Sequence, residues 1–156
     1  MALYDSIDLN FSWDGDYIRG KDGDLEDTSD DYILSIINEI RNIVKSETLE
    51  WEKDPTLGAN LADFQGEPNS RETGIAIERR IIGSITNLNI VRSGDLNVRV
   101  VPVNIEQVLI IINLNAQPTP GNSLSAGEPV KITLVYDTVE RSVFFLPLNQ
   151  IARAGN

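Results

Sequence analysis

The chain has 156 residues, of which 41% are hydrophobic, and a formal net charge of −11. This is enough for one modest hydrophobic core, and no apolar stretch approaches the roughly 20 residues that cross a bilayer, so we expect neither a membrane segment nor a leader peptide. The absence of Cys and His excludes disulfides, thiolate chemistry and histidine-based acid–base catalysis, and the acidic balance argues against a nucleic-acid partner, because such partners require a basic face.

The negative charge is concentrated near the N-terminus. Residues 1–31 carry ten acidic and two basic side chains, whereas residues 87–156 carry five of each. A neutral, strand-rich half of this kind is typical of a surface that a protein partner covers. An alternative interpretation of the acidic segment is that it serves only to keep the protein soluble.

The first part of the chain predicts a hairpin followed by a helix. Residues 6–12 alternate apolar and polar, and Asp14-Gly15 is a turn signal, so a small hairpin is predicted over 6–19. A polar loop follows it. Ser29 is a suitable N-cap for a helix that runs to about residue 46. The inward stripe of this helix recurs at three- and four-residue steps and comprises Ile33, Ile36, Ile37, Ile40 and Val44.

A turn-rich segment, DPTLGANLADFQGEPN at residues 54–69, separates this helix from a second one. Asp54-Pro55 blocks continuation of the first helix, and LGANLADF is predicted to form one or two helical turns. Asn69, with Glu72 three residues later, has the spacing of a capping box. The second helix is therefore predicted over about 70–87, and its inward stripe is Ile77, Ile81, Ile85 and Leu88. We expect the segment to set the angle between the helices and to offer a docking surface.

In the second half of the chain the apolar period changes to two. Strands are predicted at 96–103 and 108–116. Pro102 cannot donate to a ladder, so the first is expected to be an edge strand or a bulged strand. The second strand is apolar on both faces in its middle and is expected to be central or covered. Residues 117–129 are rich in Pro, Gly and Ser and predict a linker, and a hairpin is predicted beyond it at 130–148.

The predicted fold class is α+β, with two main helices packed on a small antiparallel sheet and an extra C-terminal β-hairpin. Residues 1–116 are predicted to form the main domain, which contains the N-terminal hairpin, both helices and the first strand pair. Residues 117–156 are predicted to add the linker and the C-terminal hairpin.

The acidic segments offer weak candidates for chemistry. A calcium loop over 22–33 would need Gly at its sixth position and Glu at its twelfth, which are Asp27 and Ile33. The sequence EWE at 50–52 comes nearest to a glycosidase carboxylate pair; the alternative is a partly buried Trp between two solvated glutamates. We therefore predict no metal site, no cofactor and no enzymatic activity.

Three arginines remain as polar candidates. Arg79 and Arg80 could make bidentate contacts to a partner carboxylate, but pairing within the chain, with Glu72, Glu78 or the N-terminal acids, is favoured. For Arg92, at the corner between the second helix and the first strand, both interpretations stay open.

The run that starts at Gly58 resembles a known family. Its matching residues are Gly58, Leu61, Asp63, Phe64, Glu67, Pro68 and Asn69. Together with the striped helix before it and the helix and strand pair after it, over about residues 20–115, it resembles the lysozyme-like baseplate wedge proteins of contractile-tailed phages, which include the sheath initiator of contractile injection systems. Many members carry Glu-Pro-Arg at the end of the second helix; here that region reads NLNIVRSGDL and offers only Arg92.

The resemblance implies a structural protein of the virion, made in the host cytoplasm and located in the tail baseplate. It implies six copies per baseplate and a monomer in isolation. The implied partners are other baseplate wedge proteins and the tail sheath protein, with neither nucleic acid nor membrane. The implied function is to dock on the wedge and to initiate sheath assembly by β-strand addition to a free sheet edge.

Two sets of residues are candidates for these contacts. The set expected to bind the wedge core is Glu67, Pro68, Asn69 and Arg92. The set expected to receive the sheath strand lies on the predicted edge strand or on the C-terminal hairpin, and comprises Val98, Val100, Val101 and Val103, or Ile132, Leu134 and Tyr136. The rival hypotheses are a peptidoglycan-cleaving lysozyme that uses a carboxylate pair and an acidic protein-binding adaptor.

Overall fold

The structure is a computed structural model that describes residues 9–12, 16–28, 32–89, 91–115 and 129–145. Within these ranges the chain forms two α-helices, α1 (Tyr32–Lys45) and α2 (Arg71–Asn87), and two short 3-10 helices, Leu61–Phe64 and Ser93–Asp95. Four strands follow: β1 (Leu96–Pro102), β2 (Gln107–Asn115), β3 (Pro129–Asp137) and β4 (Ser142–Phe145). The predicted α+β class is confirmed.

The four strands form one antiparallel sheet in the order β1-β2-β3-β4. β2 is central, as its apolar run predicts, and β1, which contains Pro102, lies at the edge. The C-terminal hairpin is part of this same sheet, because β3 pairs with β2 from Pro129 to Asp137. The division into a main domain and an extension stays a prediction, since residues 116–128 lie outside the described residues.

Both helices pack on one face of the sheet. The period of 3.6 in the helices and of 2 in the strands brings their apolar residues into a single core. Complete burial of an Ile or Leu side chain stabilises the fold by about 1.5–3 kcal/mol. The fully buried members on the helices and the two central strands include Ile40, Ile43, Ile77, Ile81, Ile85, Val108, Ile110, Ile112, Ile132 and Leu134.

Among residues 9–12 and 16–28, the N-terminal segment forms three short antiparallel pairings. The bridge between Phe11 and Tyr17 agrees with the predicted hairpin, whose turn residues Asp14 and Gly15 lie outside the described residues. The expected polar loop after residue 19 is wrong in part, because Leu25 pairs back with Arg19.

Arg41 of α1 is buried and donates through Nη1 to the carbonyls of Phe11 and Ser12, at 3.4 and 2.6 Å. Its guanidinium also lies 5.4 Å from the centre of the Phe11 ring. Burial lowers the pKa of Arg41, because desolvation disfavours the charged form. Arg41 therefore holds the N-terminal segment against the helix. The predicted N-cap of this helix, Ser29, lies outside the described residues.

The N-cap of α2 is Ser70, so the prediction of Asn69 is wrong by one residue. The Ser70 Oγ accepts a hydrogen bond from the Thr73 backbone N at 3.2 Å. The Asn69 amide is used elsewhere, because its Nδ2 donates to the Gln107 carbonyl at 2.9 Å. Asn69, which the local spacing predicted as the N-cap, thus makes a long-range hydrogen bond, and Ser70 caps the helix.

Candidate docking surface at one end of the sheet

The β1–β2 and β3–β4 turns meet at one end of the sheet. Thr138 donates to the Glu106 carbonyl through its backbone N at 2.8 Å and through its Oγ1 at 2.9 Å. Ile105, at the centre of the first turn, is 85% exposed. Val103 in the same turn, Val139 in the second turn and Val101 at the end of β1 are also exposed apolar residues.

The segment after the first 3-10 helix joins these turns. Asn69 Nδ2 donates to the carbonyls of Asn104 and Gln107, and Gln65 Nε2 donates to the Val139 carbonyl. Glu67 and Pro68, between these two anchors, are exposed. We call this surface the tip; it consists of residues 65–70, 103–107 and 138–141 together with Val101.

The exposed apolar side chains of the tip are held by ordered turns. Asn104 Oδ1 accepts from the backbone N of Glu106 and of Gln107, both at 2.8 Å, and so closes an Asx-type turn around Ile105. Several exposed apolar residues held on neighbouring ordered turns are a candidate contact for a protein partner. The backbone of the tip is already fixed. Docking of a partner would therefore cost little conformational entropy in the tip.

The second turn is fixed by Asp137. Its Oδ1 accepts from the backbone N of Val139 at 3.0 Å and of Glu140 at 2.9 Å, and its Oδ2 accepts from Gln107 Nε2 at 3.1 Å. The Glu140 backbone bond, followed by the Gln107 bond, lowers the pKa of Asp137. The ionised carboxylate therefore holds the two turns together.

An Asp137→Asn variant is expected to be less stable than the wild type at neutral pH, by a margin that shrinks on acidification. Because folding lowers the pKa of Asp137, its contribution is fully present above the unfolded-state pKa and is lost as pH falls through the folded-state pKa. Thermal unfolding followed by circular dichroism between pH 7 and about pH 2 measures the gap in Tm. A gap that does not change with pH contradicts this role; Glu140→Gln is the control.

The structure brings five of the predicted contact residues together at the tip and separates one from them. Glu67, Pro68 and Asn69 lie beside Val101 and Val103, although the sequence analysis assigned them to different partners. Arg92 is exposed but precedes β1 at the opposite end of the sheet. β1 is about 20 Å long at about 3.4 Å per residue. Arg92 therefore cannot share a small contact with the tip.

The backbone of β1 offers a poor edge for strand addition. Val103 N donates to the Gln107 carbonyl, so the backbone N–H and C=O of Val103 face β2. These groups alternate in direction along an antiparallel strand. The backbone groups of Val98 and Val100 therefore point away from β2. Val98 is only 2% exposed. A Cβ added at Gly74 of α2 would lie 3.6 Å from the Val100 carbonyl oxygen, so the helix passes directly over that group. Pro102, the next outward residue, has no N–H to donate.

The candidate residues on β3 lie in the interior of the sheet, so the geometry disfavours them as the place where a sheath strand would add. Thr138 N donates to the Glu106 carbonyl, and the same alternation directs the backbone groups of Ile132, Leu134 and Tyr136 toward β2. Their side chains are fully buried under the helices. The Tyr136 hydroxyl donates to the Leu61 carbonyl at 2.8 Å and supports the segment that leads to the tip.

The other sheet edge is more accessible. The residues of β3 that face β4 pair with Ser142 and Phe144, so the backbone groups of Val143 are directed outward. Val143 is partly exposed and Phe144 is exposed. If strand addition occurs on the described sheet, β4 is the edge that the geometry favours.

The sequence analysis missed Ile105 and Val139. Both are single apolar residues inside polar turns, in NIEQ and DTVERS. An apolar residue at the centre of a turn cannot reach the core of its own sheet and is therefore a signal for an exposed contact. That signal was available in the sequence for Ile105, which lies between two strands with clear periodicity.

The segment 54–69 links the two helices, as its position predicts. Ala59 N donates to the Ile43 carbonyl of α1 at 2.9 Å, and Ser84 Oγ of α2 donates to the Gly58 carbonyl at 3.1 Å. Arg80 pairs with Asp63 at 2.9 Å and lies over the Phe64 ring, so it pairs within the chain but with a partner other than those expected. A cleft of about 340 Å³ lies between this segment and α2.

The remaining candidates for chemistry lie on the surface. Trp51 is half exposed, and its indole donates to Ser46 Oγ at 2.9 Å, while Glu50 and Glu52 are exposed. Within the described ranges, no group of three or more potential ligands could hold a metal ion. In the same part of the chain, no helix has the length and apolarity to cross a membrane.

Comparison with known proteins adds no relative on which to rest a function. No protein-family model, no curated protein and no solved structure matches the chain.

Proposed function

We propose that the chain is a structural component of a contractile phage tail, a baseplate wedge protein that docks on other wedge proteins and initiates assembly of the sheath. The observation that carries the proposal is the tip, an ordered surface with exposed apolar residues at its centre and polar residues around it. A surface of this kind fits a protein partner, because burial of its apolar side chains supplies the free energy of association.

The resemblance of the run from Gly58 to Asn69 supports the phage-tail role. In the fold this run leads from the end of α1 to the tip, where Asn69 fixes it to the β1–β2 turn. Glu67 and Pro68 are then exposed beside Ile105. The last three residues of the resemblance, Glu67, Pro68 and Asn69, therefore share the tip with the exposed apolar residues, which is the arrangement expected if a single partner contacts both.

The geometry also modifies the expected mode of contact. Strand addition needs unpaired, accessible backbone groups. β1 has few of them, because α2 covers Val100 and Pro102 lacks an N–H. The proposal therefore assigns the main contact to side chains of the tip and reserves strand addition for β4, whose Val143 has outward backbone groups.

The test measures binding of the sheath subunit encoded nearby to an Ile105→Asp/Val139→Asp variant. Residues that dominate binding cluster at the centre of an interface, and a charge buried there without a partner adds a desolvation cost. Two acidic replacements are therefore expected to weaken binding at least tenfold. Biolayer interferometry with the immobilised full chain provides the affinity.

Leu49→Asp is the matched control, because Leu49 is 81% exposed but lies in the loop after α1, away from the tip. It is expected to bind as the wild type does. Equal affinity of the tip variant and the wild type would reject the tip as the contact. A wild type that fails to bind the sheath subunit would reject the initiator role.

A further inference from the structure

The face of the sheet opposite the helices carries a row of apolar residues across all four strands. The register aligns Val101 with Leu109, Leu109 with Val135 and Val135 with Phe144. Phe144 is 51% exposed although its ring lies on this row. We call this surface, centred on the row, the open face, since the described helices pack on the other side of the sheet.

Charged side chains flank the row at both ends of the strands. Those toward the start of β1 are basic, and those toward the β1–β2 and β3–β4 turns are acidic. Arg99 and Lys131 project from the half of the open face that contains the start of β1, and both are exposed. Glu140, also exposed, lies at the turn end. Asp137 is at that end as well, but its two oxygens are occupied by its own turn. Arg141 is engaged with Gln65 in the tip.

We infer that the open face binds a second copy of this chain, as two sheets packed face to face around a two-fold axis. The axis lies between the sheets, perpendicular to the strands, and passes along the apolar row. This operation places each residue of the row near its own counterpart and reverses the strand direction of the partner. Lys131 then lies near Glu140 of the second copy.

The polarity of the face selects this arrangement. A two-fold axis parallel to the strands would bring the basic ends together and the acidic ends together, and like charges across an interface are unfavourable. A two-fold interface must be self-complementary, which the row and its flanking charges satisfy. Sheets packed in this way are separated by about 10 Å, a distance that interdigitating Leu, Val and Phe side chains can fill.

The size of the face predicts a weak dimer. Four strands about 4.8 Å apart, with about seven residues each at about 3.4 Å, give a face of about 450 Å² in projection. Stable complexes bury about 800 Å² per partner. We therefore expect dissociation in the micromolar range. The sequence analysis expected an isolated monomer, and this inference departs from that expectation; it does not rest on the proposed function.

Sedimentation equilibrium of the full chain over a range of concentrations tests the inference. The wild type and Leu49→Asp are expected to show a monomer–dimer equilibrium. Phe144→Asp, which places a charge at the β4 end of the apolar row, is expected to weaken it at least tenfold. Because Phe144 lies on an exposed edge strand, this variant is expected to keep the circular dichroism spectrum of the wild type.

A charge exchange tests the orientation without altering the apolar row. Lys131→Glu is expected to weaken the dimer several-fold and Lys131→Glu/Glu140→Lys to restore it, with a dependence on salt. A wild type that stays monomeric at all concentrations would overturn the inference. So would a dimer that is unaffected by Phe144→Asp, or one that the double exchange fails to restore.

Discussion

Replacing Gly58 by Ala is expected to destabilise the protein more than any other single methyl addition among its described glycines. Gly58 has φ of +144°, and a Cβ at this position would lie 2.5 Å from the Glu47 carbonyl carbon and 2.7 Å from the Thr48 backbone N. Both atoms belong to the backbone, so no flexible side chain can move aside. The expected loss exceeds about 3 kcal/mol, since strain and displaced backbone contacts add.

The displaced contacts are those that connect the segment 54–69 to α1. Ala59 N donates to the carbonyls of Ile43 and Ser46, and Thr48 N donates to Asn60 Oδ1 at 2.6 Å. Urea unfolding measures the loss of free energy. Gly66→Ala is the matched control, because Gly66 also has positive φ, at +80°, but no atom lies within 4 Å of its added Cβ. It is expected to cost about 1–2 kcal/mol. Equal losses in the two variants would contradict the close approach at Gly58.

Ile81→Ala is expected to cost about 2–5 kcal/mol of unfolding free energy, because it removes a completely buried side chain and leaves a cavity between α2 and the sheet. Ala has a slightly higher helix propensity than Ile, so the measured loss of unfolding free energy is smaller than the loss from packing alone. Urea unfolding of the purified variant, with the slope of the transition held fixed, gives the value.

Ile75→Ala in the same helix provides the comparison. Ile75 is 39% exposed, and the change in helix propensity is identical. Its expected effect is within about 0.5 kcal/mol, as for most surface substitutions. A loss for Ile75→Ala as large as for Ile81→Ala would mean that α2 does not bury the face that the structure assigns to it.

Sequence periodicity predicted most of the fold because it reflects burial directly. The stripe of α2 and the run of β2 each bury the residues that the period selects, and Pro102 indicated the edge. The cap of α2 was misplaced because the Asn69 amide binds a turn 35 or more residues away. No local pattern contains that contact.

The candidate site was harder to predict because it is assembled from distant segments. Glu67 and Val103 were identified separately, and only the fold shows that the two turns and the segment 65–70 meet. The direction of backbone groups along a strand also has no signal in the sequence. It follows from single turn hydrogen bonds, Val103 to Gln107 and Thr138 to Glu106, and these make β3 an unfavourable candidate for strand addition.

The most direct test of the proposed role is electron microscopy of the sheath subunit mixed with the purified chain. The account predicts that the wild type and Leu49→Asp nucleate ordered sheath and that Ile105→Asp/Val139→Asp does not, although all three remain folded. Ordered sheath with the tip variant at the wild-type frequency, or no ordered sheath with the wild type, would contradict the claim that the tip initiates assembly.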